Sequence, residues 1–540
     1  MTAKDYDFII VGAGSAGCTL ANRLSADPHH RVLLLEAGGW DRHPFIKLPL
    51  GWGKVLLNRI YDWGYDSEPM PTMAGRQIEC ARGKVVGGSS SINAMAYVRG
   101  NRGDYDCWAS YGLKGWSYRD VLPYFRKQES WEGGASEYRG SDGPLATRKA
   151  RYADPLVDAY LGAAQAAGFA LNEDYNGAVQ DGFSRMQMTI RRGRRESAAT
   201  AYLHPALTRP NLTVAVRAHA ANIVVDGQRA TGVEYVQDGQ RHVARASREV
   251  ILSGGTINSP QLLQLSGIGD PATLRALGIG VKAALPGVGR NLQDHAAALL
   301  IYGRSDTSPL LRNMRLDRLT LGLMQGFAFG TGFMTDLPGG ITGFVKTDTA
   351  KAMPDIQLLF IAGSLAAAPY LPPFRKAFAD SFACRVVLLR PESRGSVTIA
   401  SADPMQHPRI AMGLLATEAD WKTLRDGIAI FRDLAHRPEL KEFVAREIGP
   451  GDGVTTDAAL EDYVRRTAVT AHHPCGTCKL GVADDPMAVV DSELRVREIE
   501  NLRVVDASVF PDLVGGNINA PTIMIAERAA DLILGRPMAA

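Results

Sequence analysis

The chain has 540 residues, 46% hydrophobic and 22% charged, which excludes a disordered or fibrous protein and is too long for one small core. The formal net charge of +3 gives no whole-molecule field for gripping nucleic acid or an acidic membrane, so no nucleic-acid partner is expected. Six cysteines in this length are not a disulfide framework and point to a reducing, cytoplasmic setting.

The first residues carry no targeting pattern, because Asp5 and Asp7 interrupt the start and Phe8-Ile9-Ile10-Val11 runs straight into glycine. That apolar run lacks alternation, as expected of a strand buried on both faces of a parallel sheet. Gly12-Ala13-Gly14-Ser15-Ala16-Gly17 follows, then a helical pattern with Ala16, Leu20 and Leu24 on one face. Val32 to Leu35 is a second buried strand ending at Glu36, and the whole reads as a βαβ unit. Gly12 suits a tight turn, Gly14 a close approach of pyrophosphate, and Gly17 close packing of helix on strand. Glu36, 19 residues past Gly17, stands where an acid binds a ribose 2′-hydroxyl and repels a 2′-phosphate, which favours FAD or NAD over NADP.

Gly83-Lys84-Val85-Val86-Gly87-Gly88-Ser89-Ser90-Ser91-Ile92-Asn93 suits a backbone pressed against a flat ring or a phosphate, or simply a flexible turn. From Leu212 to Leu252, short alternating runs broken by Asp226-Gly227 and Asp238-Gly239 predict an antiparallel meander. Val250-Ile251-Leu252 then returns to a buried strand, and Ser259-Pro260 predicts a helix start. Ile356 to Phe374 is uncharged but holds Pro369, Pro372 and Pro373, so it predicts a buried strand and a loop rather than a membrane span. Peripheral membrane contact stays open. His472-His473-Pro474-Cys475-Gly476-Thr477-Cys478 offers a base or, through His-x-Cys-x-x-Cys, three ligands for a metal. No second ligand pair has comparable spacing, so no metal is expected. A strand at Leu502–Val505 ends at Asp506, and a helix is predicted to follow Pro521 after Gly515-Gly516-Asn517-Ile518-Asn519.

These motifs, with Gly255 to Gly269, occur in the order found in the glucose–methanol–choline (GMC) flavoprotein oxidoreductases, which the chain resembles from end to end. Within that family it looks most like bacterial choline dehydrogenases and related alcohol dehydrogenases. The resemblance implies an α/β fold, α+β overall, with a Rossmann-like FAD-binding domain and an interleaved substrate domain built on an antiparallel sheet covered by helices. The expected division is 1–155, 210–300 and 480–540 for FAD, and 156–209 and 301–479 for substrate. FAD contacts are expected from Gly12, Ala13, Gly14, Ser15, Ala16, Gly17, Glu36, Ala37, Arg82, Val86, Gly87, Gly88, Ser89, Asn93, Ala94, Ala220, Asp506, Ala507 and Asn519. Some choline oxidases tether the flavin through a histidine where this chain has Ile92, so FAD is expected to be non-covalent.

The implied reaction is oxidation of a primary alcohol to an aldehyde. His473 takes the hydroxyl proton, Asn517 holds the oxygen, and a hydride passes to flavin N5. The acceptor of the electrons is a quinone, another carrier or oxygen. His295, in Asn291-Leu292-Gln293-Asp294-His295, is expected to pack or to serve the flavin domain. A choline site needs aromatic faces and a carboxylate. Trp63, Tyr97 and Phe344 could supply the former, but Asp336 stands too far upstream of Gly343-Phe344 for the latter. A neutral aliphatic, aromatic or polyether alcohol is therefore expected, with choline as the alternative.

Overall fold

The structure is a computed structural model that describes residues 4–539. In chain order, β1 (Lys4–Val11), α1 (Ser15–Leu24) and β2 (Val32–Glu36) open the fold. Helix α2 (Pro155–Ala166) and strand β3 (Gly182–Arg185) follow. Next come β4 (Leu212–Val216), β5 (Ala218–Asp226), β6 (Arg229–Gln237) and β7 (Gln240–Leu252), then α3 (Gly255–Leu265). Strands β8 (Ala296–Arg304), β9 (Ile341–Val345), β10 (Ile356–Ile361) and β11 (Ser381–Leu388) precede α4 (Glu418–Ala435). Strands β12 (Val444–Gly449), β13 (Val469–Thr470) and β14 (Leu502–Val504) lead to the last helix, α5 (Asn519–Ile533).

Two large sheets organise these elements. The first runs β5-β6-β7-β1-β2-β4, with β14 also on β7, and its centre is parallel. The second runs β12-β8-β11-β10-β9-β3, with β13 also on β8, and is antiparallel throughout. The mixed α/β architecture expected from the resemblance is the one found. Residue 300, where the sequence reading places a boundary, lies within β8, and β8 pairs in the second sheet.

In the first sheet, Val11 pairs with Leu35 and with Leu252, and Leu252 pairs with Val504. The carboxyl ends of four parallel strands are thus level. Ligands of open α/β sheets bind beyond such ends. Gly17 lets α1 sit close: an added Cβ would stand 1.9 Å from the Gly12 carbonyl oxygen.

Three sequence expectations are corrected in detail. The meander covers 218–252 rather than 212–252, because Arg217, with φ +56°, turns the chain and β4 instead joins β2 in parallel. The helix expected at Pro260 begins at Gly255. Pro260 has no N–H for the Thr256 carbonyl, and the Thr477 hydroxyl donates to that carbonyl instead at 2.6 Å. The helix expected after Pro521 begins at Asn519. The first four N–H groups of any helix lack partners within it, so proline marks the first turn, not the first residue.

The second sheet alternates. One face, with Leu300, Leu358, Cys384 and Val386, packs into a core shared with α2 and α4 residues such as Tyr160, Leu424 and Phe431. The other face turns toward the level strand ends of the first sheet and makes one wall of the cavity described next.

Candidate functional site

A cavity of about 340 Å³ runs from the strand ends of the parallel sheet to the inner face of the antiparallel one. At one end, Glu36 is buried and accepts from the backbone N–H groups of Ala13 (2.9 Å) and Gly38 (2.8 Å). Burial outweighs those bonds and pushes its carboxyl up to about 7. Ala37 and Ala220 line the same end.

Three helices aim N-termini at the cavity: α1 behind Gly14 and α5 behind Ile518 have no side-chain cap, and α3 behind Gly254 has its first N–H taken by Asp506. Free N–H groups and the helix dipole suit a pyrophosphate and an anionic ring edge. A Cβ on Gly14 would meet only the Ser253 carbonyl oxygen, at 3.9 Å, so this cradle is open to a ligand. Gly88, at φ +54°, crosses Gly14 so closely that a Cβ there would lie 2.7 Å from the Gly14 Cα. Ser15 Oγ donates to Asn519 Oδ1 at 2.7 Å, joining the first and last helices. Asp506 accepts from Gly255 N (2.9 Å) and Ser259 Oγ (2.6 Å), which fixes the start of α3. Burial raises the Asp506 carboxyl.

Of the expected contacts, Gly12, Gly14, Ser15, Ala16, Glu36, Ala37, Arg82, Gly88, Ser89, Asn93, Ala94, Ala220, Asp506, Ala507 and Asn519 face the cavity. Ala13, Val86, Gly87 and Gly17 do not. The first three tie the loops together through Gly87 N to Ala13 O (2.7 Å) and Val86 N to Gly39 O (2.9 Å). Ile92 lines the wall and offers no nucleophile. The fit to FAD is thus chemical at each point: an acid at the ribose end, helix N-termini at the phosphates, glycine backbone beneath the ring.

At the other end the segments 291–295 and 471–478 run antiparallel. Gln293 and Cys475 exchange backbone hydrogen bonds (3.1 and 2.9 Å), and Ala471 N donates to His295 O at 2.8 Å. This brings His295 Nδ1 to 2.9 Å from His473 Nδ1, and His295 Nε2 to 3.1 Å from the Leu389 carbonyl. Asn517 Nδ2 stands 2.9 Å from His473 Nε2, and Gln357 Nε2 donates to Asn517 Oδ1 at 3.4 Å. Asp294 fixes the backbone by accepting from His473 N at 2.9 Å. His473 is 8% exposed.

Burial holds His473 well below the usual histidine range, and His295 and His472 at about 3, with the positive fields of Arg82 and Arg385 adding to the effect on His472 and His473. All three rings are therefore neutral at pH 7. The tautomers follow from the partners. A carbonyl only accepts, so His295 carries its hydrogen on Nε2 and its Nδ1 accepts. His473 must then donate from Nδ1, and its Nε2 lone pair meets the Asn517 amide hydrogens. The chain of bonds leaves one basic nitrogen facing the cavity.

His472, at φ +62°, gives its carbonyl to Arg82 Nη2 at 2.7 Å. Cys475 and Cys478 are buried, burial drives both thiols far up, and among the described residues no three His, Cys, Asp or Glu side chains converge as metal ligands. Of the three aromatics considered for a cation, Tyr97 and Phe344 are buried away from the cavity. Trp63 lines it, but its ring stacks on Tyr65 at 5.6 Å and carries Lys84 Nζ at 4.6 Å from its centroid. Asp336 accepts from Arg148 Nη1 (3.1 Å) and Arg151 N (2.6 Å) and does not reach the cavity.

Sequence reasoning passed over Gln357, Arg385 and the role of His295. A charge alone in the apolar run of β11 was the available signal for Arg385. The NLQDH segment was visible, but nothing local says it pairs with 471–478.

Comparison with known proteins agrees with this geometry. Family models described as GMC oxidoreductase match residues 6–297 and 391–526. The mitochondrial choline dehydrogenase of Mus musculus is 44% identical, over 99% of this chain and 90% of that protein. An oxygen-dependent choline dehydrogenase of Photobacterium profundum is 43% identical, over 98% of this chain and 93% of its own. Among solved structures, pyridoxine 4-oxidase from Mesorbium loti superposes with a TM-score of 0.86 at 33% identity, covering 97% of this chain and 98% of that one. A formate oxidase of Aspergillus oryzae superposes with a TM-score of 0.90 at 28% identity, covering 99% of each. The chain belongs to the GMC oxidoreductases and is an FAD-dependent oxidoreductase acting on CH–OH donors.

Proposed function

We propose that the protein oxidises a primary alcohol to an aldehyde, with His473 as base and Asn517 as its partner. The observation that carries this reading is the bond chain from Leu389 through His295 and His473 to Asn517, which leaves His473 Nε2 unprotonated beside an amide donor. Bound FAD supplies the two-electron, hydride-accepting chemistry. The residues listed above as facing the cavity at its ribose, phosphate and ring portions hold it, without a covalent tether at Ile92.

An alcohol whose hydroxyl replaces the direct Asn517–His473 hydrogen bond gives its proton to His473 Nε2, while Asn517 Nδ2–H turns to donate to the oxygen as negative charge develops there. His295 accepts from His473 Nδ1 throughout, so the ring keeps its tautomer and its plane. Burial first, with the field of Arg82 and Arg385 adding to it, keeps His473 neutral before the reaction. The same field lowers the cost of the alkoxide. The buried cavity excludes water, which strengthens each of these interactions.

A cation is poorly served at this end. Among the described residues the carboxylates that line the cavity, Glu36 and Asp506, are engaged by backbone N–H groups and Ser259, Trp63 is already covered by Lys84, and two guanidinium groups stand by. The alcohols that fit carry no positive charge, aliphatic, aromatic and polyether ones among them. The likeness to choline dehydrogenases favours choline as the second reading. The six free thiols support a reducing, cytoplasmic setting, and among the described residues no helix is long and apolar enough to cross a membrane. We divide the chain into an FAD unit and an inserted substrate unit as expected above, with the boundary before Ala296.

The test is anaerobic mixing of the holoenzyme with benzyl alcohol, a long-chain alcohol, a polyethylene glycol and choline, following flavin absorbance. Bleaching by an uncharged alcohol, lost in His473→Ala with FAD retained, is expected. Full-rate bleaching in that variant overturns the assignment. Peroxide formed in air separates oxygen from a quinone or other carrier as acceptor. Colour staying with an acid-precipitated pellet overturns non-covalent binding.

A further inference from the structure

Strand β11 reads Ser-Phe-Ala-Cys-Arg-Val-Val-Leu, one charge among apolar neighbours. Strand alternation sends Cys384 and Val386 to the helix-covered face and Arg385 to the cavity side. Its cross-strand partner is Leu359 on β10, which also lines the cavity. Gln357, two residues before Leu359 and on the same face, touches Asn517. Arg385 therefore lies about 7 Å along the sheet and about 5 Å across it from the row that supports the catalytic amide.

Among the described residues no group hydrogen-bonds or ion-pairs with the guanidinium. Its Nε is sealed from water without a hydrogen bond, and burial lowers its pKa. Glu79 acts on it only at a distance and is itself approached by Arg59 at 3.9 Å. Asp336 is held by Arg148. The half-buried guanidinium stands in the wall of the cavity with its Nε unpaired, and its planar fork matches a carboxylate in bidentate geometry.

We infer that Arg385 anchors an acidic group of the substrate, and that the preferred substrates are primary alcohols carrying a carboxylate at the end remote from the hydroxyl. This rests on the alcohol-oxidation reading. The step balances as before: the O–H proton goes to His473, the carbon loses a hydride to FAD, and the aldehyde product keeps its carboxylate on Arg385.

The test compares 4-(hydroxymethyl)benzoate with benzyl alcohol, and 4-hydroxybutyrate with 1-butanol, in the holoenzyme and in Arg385→Met and Arg385→Lys. The expected kcat/KM favours one acid over its neutral analogue by about 50-fold, a ratio that falls below about 5-fold in Arg385→Met and partly recovers in Arg385→Lys. Calorimetric titration of the native holoenzyme with 4-methylbenzoate and 4-methylbenzamide reads the anchor without turnover and decides the matter if Arg385→Met fails to fold. Tighter binding of the acid by about 10-fold or more supports the anchor. Equal binding of acid and amide, or no preference for either acid, overturns it while the alcohol reading stands. If no alcohol reduces the flavin yet 4-methylbenzoate binds through Arg385, the anchor survives and the alcohol reading fails.

Discussion

His295 and His473 face each other Nδ1 to Nδ1 at 2.9 Å, so one ring must donate and the other accept. The Leu389 carbonyl behind His295 decides which. With His473 as the proposed base, His295 is a positioning residue that would act on the reaction only through it.

The variant His295→Gln keeps an acceptor for His473 and a donor for Leu389, whereas His295→Leu keeps neither. In His295→Leu the freed His473 can place its hydrogen on Nε2, and the rate of flavin reduction should fall by about 10²–10⁴-fold with FAD still bound. His295→Gln should recover at least about a tenth of the native rate. Equal loss in both variants would assign His295 to packing alone.

The acid limb of kcat/KM should lie far from the ordinary histidine value. His473 is held well below 6.5 by burial first and by neighbouring positive groups next, so its base form is already complete at pH 6.5. Stopped-flow reduction should show no loss centred on the ordinary histidine value as pH falls from 8 to 6.5. A midpoint between 6.5 and 7.5 would mean that the buried ring titrates normally.

Stability carries the matching signature at His472, whose folded value is depressed to about 3. A depressed value means that the unfolded chain binds the proton first, so the contribution is present above about pH 6.5 and is lost as pH falls toward 3. Glu36 and Asp294, raised to about 7 and about 6, act in the opposite direction. Comparison with His472→Asn removes that background. Between pH 6 and 4 the native protein should lose about 1.4 kcal/mol per pH unit more than the variant in urea unfolding. Parallel pH curves would show that His472 is not buried neutral.

Thr477→Val leaves the Thr256 carbonyl of α3 without the hydroxyl that replaces the missing N–H of Pro260. A loss of about 1–3 kcal/mol is expected, read by urea unfolding, because a buried acceptor is orphaned. Thr477→Ser should restore most of it, and an unchanged midpoint in Thr477→Val would place water at that carbonyl.

The glycine loop, Glu36 and the HHPCGTC stretch were legible because their chemistry sits in consecutive residues. Gln357, Arg385 and His295 were not. Gln357 reaches Asn517 across 160 residues, and His295 reaches His473 across 178. Both contacts depend on sheet register and on a two-segment bridge, which no local pattern encodes. The helix starts were misplaced by five and two residues, at 255 and 519, since proline is tolerated anywhere in a first turn and, with a substitute donor, even beyond it. Which of the three candidate aromatics reaches the cavity was not legible for a related reason: composition tells that rings exist, not which faces are free.

The bond from Ser15 to Asn519 spans 504 residues and lies where the first glycine loop meets the last helix. A nascent chain still lacking its final segment therefore has the nucleotide-binding βαβ unit but no closed cradle. Flavin capture is expected only once α5 is in place, and a chain cut short before α5 should be colourless however well its sheets assemble.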